Sequence, residues 1–150
     1  MKETQLARPN NLSIEESYKI KIKNDIEASK KAIFDLIEHN EMLDDDGYPT
    51  DAALDAIKLW HWSDAKGWFE FIKSLWAYRD WGWKEGMFED DYMREGEKSY
   101  QYHISTAGWS GNESIIYAMK ESGMMWHLNW VQSRRGGHYI FELKEFKNDE

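Results

Sequence analysis

The chain contains no cysteine, and that absence excludes disulfide bonds, thiol nucleophiles and metal sites built from cysteine ligands. A chain of 150 residues still buries about 70% of its unfolded surface in one domain, so its core forms without cross-links. There is no apolar run of about 18 residues, the length that spans a bilayer, and the first residues lack the apolar stretch of a secretion signal. We therefore expect a cytoplasmic protein with no membrane partner.

Basic charge is scarce as well, since 19 Lys and Arg face 28 Asp and Glu. Residues 1–92 hold 12 basic and 20 acidic side chains, or −8, and residues 93–150 hold 7 and 8, or −1, which together give the net −9. Nucleic-acid surfaces need clustered Lys and Arg. DNA binding through the first segment is therefore not expected, and it would need a basic patch in the C-terminal half. The acidic segment suits solubility, a basic partner or nucleic-acid mimicry.

Hydrophobic periodicity divides the chain into an arm and two structural parts. Residues 1–12 lack a periodic pattern and are predicted to form a flexible arm before one α+β domain over 13–150. Within this domain, apolar spacings of three and four residues predict a helical part over 13–80 with about three helices. Alternating spacing then predicts a β-α-β-β part over 99–146 that forms a small mixed sheet.

Capping residues indicate where the predicted helices begin. Ser13 and Glu16 form a capping box for a long helix that is expected to end near Met42. Thr50 is placed to cap the second helix and Ser63 the third. An acidic cluster between the first two helices is predicted to be a turn, because the alternating calcium ligands and the later glutamate are missing; its residues are Asp44, Asp45 and Asp46.

Three segments of the C-terminal part alternate apolar and polar residues, as strands do. They are 100–105, 125–131 and 139–143, with a short helix over 113–122 between the first two. A helical crossover of this length leaves the joined strands parallel, so the C-terminal ends of the first two strands are expected at one edge of the sheet. The glycines of 134–137 predict a hairpin between the last two strands.

Two glycine-rich loops follow the first two of these strands and are therefore expected to meet. The first loop opens a helix, whose free backbone N–H groups and dipole favour an anion, and its glycines allow a ligand to approach the backbone. The second loop carries arginines suited to paired hydrogen bonds with phosphate or carboxylate, and a tryptophan in the first can stack on a base. The predicted ligand-binding residues are Trp109, Ser110, Gly111, Asn112, Arg134, Arg135 and His138.

Structural roles also explain each of these residues taken alone. Ser110 and Glu113 match a capping box, the paired glycines match a tight hairpin, and Trp109 is able to close the core. The loop matches neither a phosphate loop nor a dinucleotide fingerprint. The predicted site therefore depends on the two loops being neighbours.

The sequence predicts no catalytic residue, metal or cofactor. Ser110 misses the position of a nucleophile elbow by one residue, and no base is fixed beside it in the sequence. His103, His127 and His138 share a predicted sheet face, but the last two are about 15–25 Å apart along their strands. That separation is too large for a shared zinc ion, and His103 with His127 would lack a third ligand.

Most of the nine tryptophans follow helical or strand spacing and are assigned to the core. Trp81 and Trp83 differ, because they lie in the glycine-broken, charged segment 81–98, where only a short helical turn near 87–93 is predicted. Exposed tryptophans anchor protein interfaces. We therefore predict that Trp81, Trp83 and the acidic turn bind a partner.

The C-terminal third resembles a set of short bacteriophage and prophage proteins. The resemblance is carried by Ser105-Thr106-Ala107-Gly108-Trp109-Ser110-Gly111-Asn112-Glu113 and by Trp130-Val131-Gln132-Ser133-Arg134-Arg135-Gly136-Gly137-His138-Tyr139. It implies a phage or prophage setting, with the host cytoplasm as the location, and it favours a counter-defence role. It implies no mechanism.

Two classes of function stay open at this point. The first is a non-enzymatic phage accessory or counter-defence protein that binds a phosphate-bearing ligand, such as a nucleotide or other anionic small molecule, or a host protein. The alternative is an enzyme acting on a nucleotide or phosphoester, with the two arginines on the phosphate and His138 or Glu113 as acid or base. The long first helix either packs on the sheet or mediates formation of a homo-oligomer.

Overall fold

The computed structural model describes residues 12–89 and 96–144. The predicted arm lies outside the described residues apart from residue 12. The elements of the described ranges, in chain order, are α1 (Ile14–His39), α2 (Asp51–Leu59), α3 (Ala65–Leu75), α4 (Arg79–Gly82), β1 (Trp83–Glu89), β2 (Lys98–Ser105), α5 (Ser110–Glu121), α6 (Met124–Asn129), β3 (Trp130–Arg134) and β4 (His138–Glu142). No helix in these two ranges is long and apolar enough to cross a membrane.

The α+β class is confirmed, with helices first and a four-stranded sheet after them. The sheet is antiparallel, however, and the prediction of a mixed sheet is wrong, because the hairpin inserts β4 between β2 and β3 in the order β1-β2-β4-β3. Since β4 is antiparallel to both of its neighbours, β2 and β3 run in the same direction. Their C-terminal ends therefore share one edge of the sheet, as the sequence predicted.

Two segments of the sheet region differ from the prediction. The segment expected as the second strand begins as α6, and only Trp130 and the residues after it are extended. The alternation of tryptophans there coincides with a helical turn that buries Met125, Trp126 and Asn129. The prediction also missed β1, where pairing with β2 overrides a weak local pattern. The expected helical turn is wrong for 87–89, and 90–93 lie outside the described residues.

At two of the first three helices, the N-cap residue is the one predicted from the sequence. Ser13 and Glu16 form the capping box, although α1 ends at His39 rather than near Met42. Thr50 accepts a hydrogen bond from the Ala53 N–H at 3.2 Å. The third helix is capped by Asp64, not by Ser63, because the Asp64 carboxylate accepts from the Gly67 N–H at 3.1 Å.

The core lies between the helices and the inner face of the sheet. Phe69 of α3 stacks on Tyr102 of β2 with 4.0 Å between ring centroids and contacts Phe141 of β4 at 5.4 Å. From α5, Ile115 and Met119 are fully buried in the same cluster. Helix α1 packs against α2 rather than on the sheet.

Candidate functional site

The two glycine-rich loops meet at the shared edge of the sheet. The Thr106 N–H donates to the Gly137 carbonyl at 2.9 Å, and the Thr106 Oγ1 accepts from the Gly108 N–H at 3.3 Å. Gly137 has a φ of 80°, and a Cβ there would lie 2.3 Å from the Thr106 Oγ1. Glycine at 137 is therefore required by the neighbouring loop as well as by the hairpin.

The predicted ligand-binding residues nevertheless divide between two surfaces. Trp109 and Ser110 face Tyr48, with 4.7 Å between the Trp109 and Tyr48 rings and 3.3 Å from the Ser110 Oγ to the Tyr48 hydroxyl. Arg134 and His138 instead lie opposite each other on the face of the sheet turned away from the helices. Proximity of the loops thus does not bring their side chains into one pocket.

Two of the predicted ligand-binding residues have structural roles. A Cβ on Gly111 would lie 2.1 Å from the six-membered ring of Trp109, so this glycine makes room for the indole rather than for a ligand. Asn112 is fully buried. Its Oδ1 accepts from the Ala77 N–H at 2.9 Å, and its Nδ2 donates to the Ala77 carbonyl at 3.0 Å.

The expected capping box at the start of α5 is also absent. Trp109 is the N-cap residue and no side chain caps this end, while Ser110 is already the first helical residue. The helix therefore begins one residue earlier than the capping box predicts, directly after a turn in which the Trp109 N–H donates to the Thr106 carbonyl at 3.0 Å. Ser110 is left to bond to Tyr48, and Glu113 donates its backbone N–H to the Trp109 carbonyl.

Four aromatic side chains form a continuous surface that we call the aromatic patch; they are Tyr48, Tyr78, Trp81 and Trp109. Tyr78 lies 6.5 Å from Trp109 and 6.2 Å from Trp81 between ring centroids, and Tyr48 adds the 4.7 Å contact with Trp109. Tyr48 is 39% exposed, Tyr78 54% and Trp81 58%, while Trp109 is half-buried. The rings therefore pack on each other while Tyr78 and Trp81 stay more than half exposed.

The backbone beneath the aromatic patch is held in an uncommon conformation. Tyr78 has a φ of 63° and Ala107 a φ of 59°, and no other non-glycine residue of the described ranges has a positive φ. Such backbone costs free energy and persists only where neighbours enforce it. Asn112 holds the peptide just before Tyr78, and the Tyr78 carbonyl accepts from the Gly82 N–H at 2.9 Å.

The acidic turn predicted from the sequence borders the aromatic patch. The Asp44 carboxylate accepts from the backbone N–H groups of Asp46 and Tyr48, both at 2.9 Å, so the turn itself positions Tyr48. All three aspartates are exposed. Residues 41–64 contain seven carboxylates and one lysine, so the segment that includes this turn is strongly negative.

Trp83 is buried, which contradicts the expectation that it is an exposed anchor for a partner. It is 6% exposed and packs against Trp76 at 5.8 Å and Tyr102 at 5.9 Å, because it faces the core at the start of β1. Sequence reasoning missed Tyr48 and Tyr78. For Tyr48, the preceding turn glycine, Gly47, was a usable signal. Tyr78 offered no local signal, because its neighbour Ala77 is held by Asn112, which is 35 residues further along the chain.

The outer face of the sheet brings His103 and His138 together, with 6.2 Å between their ring centroids. His127 is absent from this face because it lies on α6. No group of three potential ligands for a metal ion is found in the described part of the chain. Comparisons with models of known protein families, with curated proteins and with solved structures give no match.

Proposed function

We propose that this protein is a non-enzymatic binding protein that docks on a protein partner through the aromatic patch. The observation that carries the proposal is the set of four touching aromatic rings, three of them 39–58% exposed. Exposed apolar patches mark interaction sites more often than chance, and Tyr and Trp are enriched among the residues that dominate binding energy. The resemblance to short phage proteins favours a host protein as the partner, and an accessory or counter-defence role.

The charge around the aromatic patch favours a basic partner surface. Asp44, Asp45 and Asp46 lie at its edge, and opposite charge across an interface speeds encounter and selects the partner. Lys and Arg side chains also bind well to the faces of Trp and Tyr rings. We therefore expect an apolar contact on the partner, surrounded by Lys and Arg.

The rigid support of the aromatic patch is a second argument for binding. Binding loses less entropy when the contact residues are already fixed. Asn112 fixes the Ala77 peptide with two hydrogen bonds, and the indole of Trp109 rests against Gly111. These contacts keep the rings in place before any partner arrives.

An enzyme working through the sheet-edge loops has less support. The Ser110 hydroxyl is paired with Tyr48 and not with a histidine. Glu113 lines a groove with Lys120 and Tyr139 on the inner side of β4, whereas His138 faces the outer side. The two residues proposed as acid or base are thus on opposite faces of the sheet.

Affinity capture with single-residue variants tests the docking proposal. The immobilised wild-type chain is expected to retain one main protein species from a bacterial host lysate, less of it as salt rises, because salt screens the acidic border. Trp81→Ala should reduce that yield by about tenfold or more, since hot-spot truncations cost at least about 2 kcal/mol. Tyr117→Ala is the matched control, because Tyr117 is 68% exposed but lies outside the aromatic patch.

Gly111→Ala extends the test to the geometry of the aromatic patch. The new Cβ would lie 2.1 Å from the Trp109 ring, so the half-buried indole must move while the fold remains. We expect a red-shifted tryptophan emission, an almost unchanged melting temperature and reduced capture. Equal capture by wild type, Trp81→Ala and Gly111→Ala chains would reject the aromatic patch as the docking surface.

A further inference from the structure

A second surface, separate from the aromatic patch, lies on the outer face of the sheet and is made by all four strands. Lys84 of β1 lies opposite His103 of β2, and Arg134 of β3 lies opposite His138 of β4. The two imidazole rings are 6.2 Å apart between centroids. Lys84 and Arg134 are exposed, and the histidines between them are half-buried. We call these four residues the cationic cluster.

Among the residues that the structure describes, no carboxylate is paired with Lys84 or Arg134 of the cationic cluster. Within the described ranges, neither Lys84 nor Arg134 has a carboxylate oxygen within 4.0 Å. One carboxylate on the same face, that of Glu142, lies opposite Gln101 and is 2.6 Å from the Lys144 Nζ. In a chain of net charge −9, such a concentration of free positive charge is the opposite of the overall trend and favours an anion.

Neutral side chains hold the donors of the cationic cluster in position. The Gln132 Oε1 accepts from the Arg134 Nε at 3.3 Å, which leaves the two Nη groups of the guanidinium for a paired contact with an anion. The Gln101 Oε1 lies 2.9 Å from the His103 Nε2 and fixes that ring. The Phe88 ring stacks on the His103 ring, with 4.3 Å between their centroids.

The two histidines respond to the charge around them. Burial lowers the pKa of His103, and the positive charges of His138, Arg134 and Lys84 lower it further. Burial and the charge of Arg134 likewise lower the pKa of His138. An anion among these groups would offset the repulsion and favour the protonated rings.

We propose that the cationic cluster binds a phosphate group and that binding is coupled to proton uptake by His103 and His138. The guanidinium supplies two parallel donors, protonated imidazoles supply two more, and Lys84 adds a point charge, a set that matches the oxygens of a phosphate. The phosphate belongs either to a free anion or nucleotide or to the backbone of a single nucleic-acid strand, on whose bases Phe88 would be able to stack. This proposal does not depend on the docking function of the aromatic patch.

Calorimetry and histidine NMR on the full chain test the proposal. The probes are inorganic phosphate, adenosine monophosphate and a ten-residue oligothymidine, each titrated at pH 6 and pH 8. We expect the ring signals of His103 and His138 to shift and their pKa values to rise on binding of any of the probes. For the oligothymidine, whose phosphodiesters do not titrate in this range, affinity should be higher at pH 6 than at pH 8, the direction that proton linkage requires. Binding of the small probes indicates a free anion as the ligand, and binding of the oligothymidine alone indicates a nucleic-acid backbone. Absence of binding by all three probes overturns the proposal.

Variants inside and outside the cationic cluster distinguish a specific phosphate site from nonspecific electrostatic attraction of the probes. Arg134→Gln and the double variant His103→Gln/His138→Gln should weaken binding by about tenfold or more, the loss expected when one charge-assisted contact disappears. Lys31→Gln on α1 and His127→Gln on α6 remove one positive charge and one histidine elsewhere and should bind as wild type does. Because the replaced side chains are exposed or half-buried, thermal unfolding is expected to confirm a folded chain in every case. Equal weakening in cluster and control variants would reject the site.

Discussion

Asn112 is the residue on which the support of the aromatic patch most directly depends. Its side chain is fully buried and forms hydrogen bonds with both the backbone N–H and the carbonyl of Ala77. A third contact reaches the Thr106 carbonyl at 3.4 Å. One amide thus joins α5, the connection before α4 and the loop after β2, which are the three segments that carry or adjoin the patch.

Replacing Asn112 by alanine is expected to lower the free energy of unfolding by about 2–4 kcal/mol, because a fully buried side chain is truncated and two partly buried backbone groups lose their partners. Urea denaturation measures this loss. Ser114→Ala is the control, since the exposed Ser114 hydroxyl donates to the Ser110 carbonyl at 3.0 Å, and it should change stability by no more than about 0.5 kcal/mol. A change at Asn112 as small as that of the control would show that its hydrogen bonds to Ala77 are dispensable for stability.

At the scale of elements, Glu85 explains how β1 is joined to the rest of the fold. One carboxylate oxygen accepts from the Trp83 Nε1 at 2.9 Å and the Lys73 Nζ at 3.1 Å, and the other accepts from the Tyr100 hydroxyl at 2.6 Å. The bond to Glu85, with burial and the negative charge as further causes, raises the pKa of Tyr100 to about 12. Strand β1 is therefore linked both to β2 and to α3.

Glu85→Gln is expected to destabilise the protein by about 1–2 kcal/mol at pH 7, because hydrogen bonds to a charged acceptor are stronger than those to an amide. Burial acts to raise the pKa of Glu85, but the hydrogen bonds from Tyr100, Trp83 and Lys73 and the charge of Lys73 outweigh it, so the pKa is lowered. A lowered pKa means that this stability is present above the unfolded pKa and is lost as pH falls through the folded one.

Urea denaturation at pH 7 and at pH 3 checks the prediction for Glu85. The difference between wild type and variant should be large at pH 7 and should shrink toward pH 3, because the stability that depends on the carboxylate charge is lost as pH falls toward the lowered folded pKa. Glu89→Gln, on the same strand and exposed, should show little difference at either pH. A difference at Glu85 that does not depend on pH would contradict the role of its charge.

At the scale of the whole molecule, α1 is attached by a small part of its length. It has 26 residues, of which Ile33 is buried, and a groove of about 230 Å³ separates its C-terminal half from Trp60 and His61. Ile14 is 90% exposed and Tyr18 64%. The first turns of α1 thus carry apolar side chains that the rest of the described chain does not cover, and homo-oligomer formation through this helix stays a prediction.

Two isoleucines on α1 test this unequal attachment. Ile33→Ala should lower the free energy of unfolding by about 2–4 kcal/mol, the usual loss for a buried isoleucine. Ile14→Ala removes the same atoms from an exposed position and should change stability by about 0.5 kcal/mol or less. Thermal and urea unfolding of both variants measure the contrast. Similar losses at the two positions would show that the start of α1 is buried in solution, by a second chain or by residues outside the described ranges.

Several features of the fold could be predicted from short-range patterns alone. The capping box at Ser13 and the cap at Thr50 follow from local hydrogen bonding. The strands containing Tyr102 and Phe141 follow from alternation, and the hairpin between β3 and β4 follows from its two glycines. The meeting of the two loops was also predictable, because the direction of a strand is set by the kind of connection that precedes it.

The tertiary structure alone decided which side chains these loops bring together. Trp109 turns to Tyr48 while Arg134 turns to the opposite side of the sheet, so one predicted site became two surfaces. Trp83 faces inward although its neighbour Trp81 is exposed, because pairing of β1 with β2 fixes its direction. Periodicity in the sequence records which residues prefer burial, but the direction of a side chain at a loop or an edge is set by contacts with residues far away in the chain.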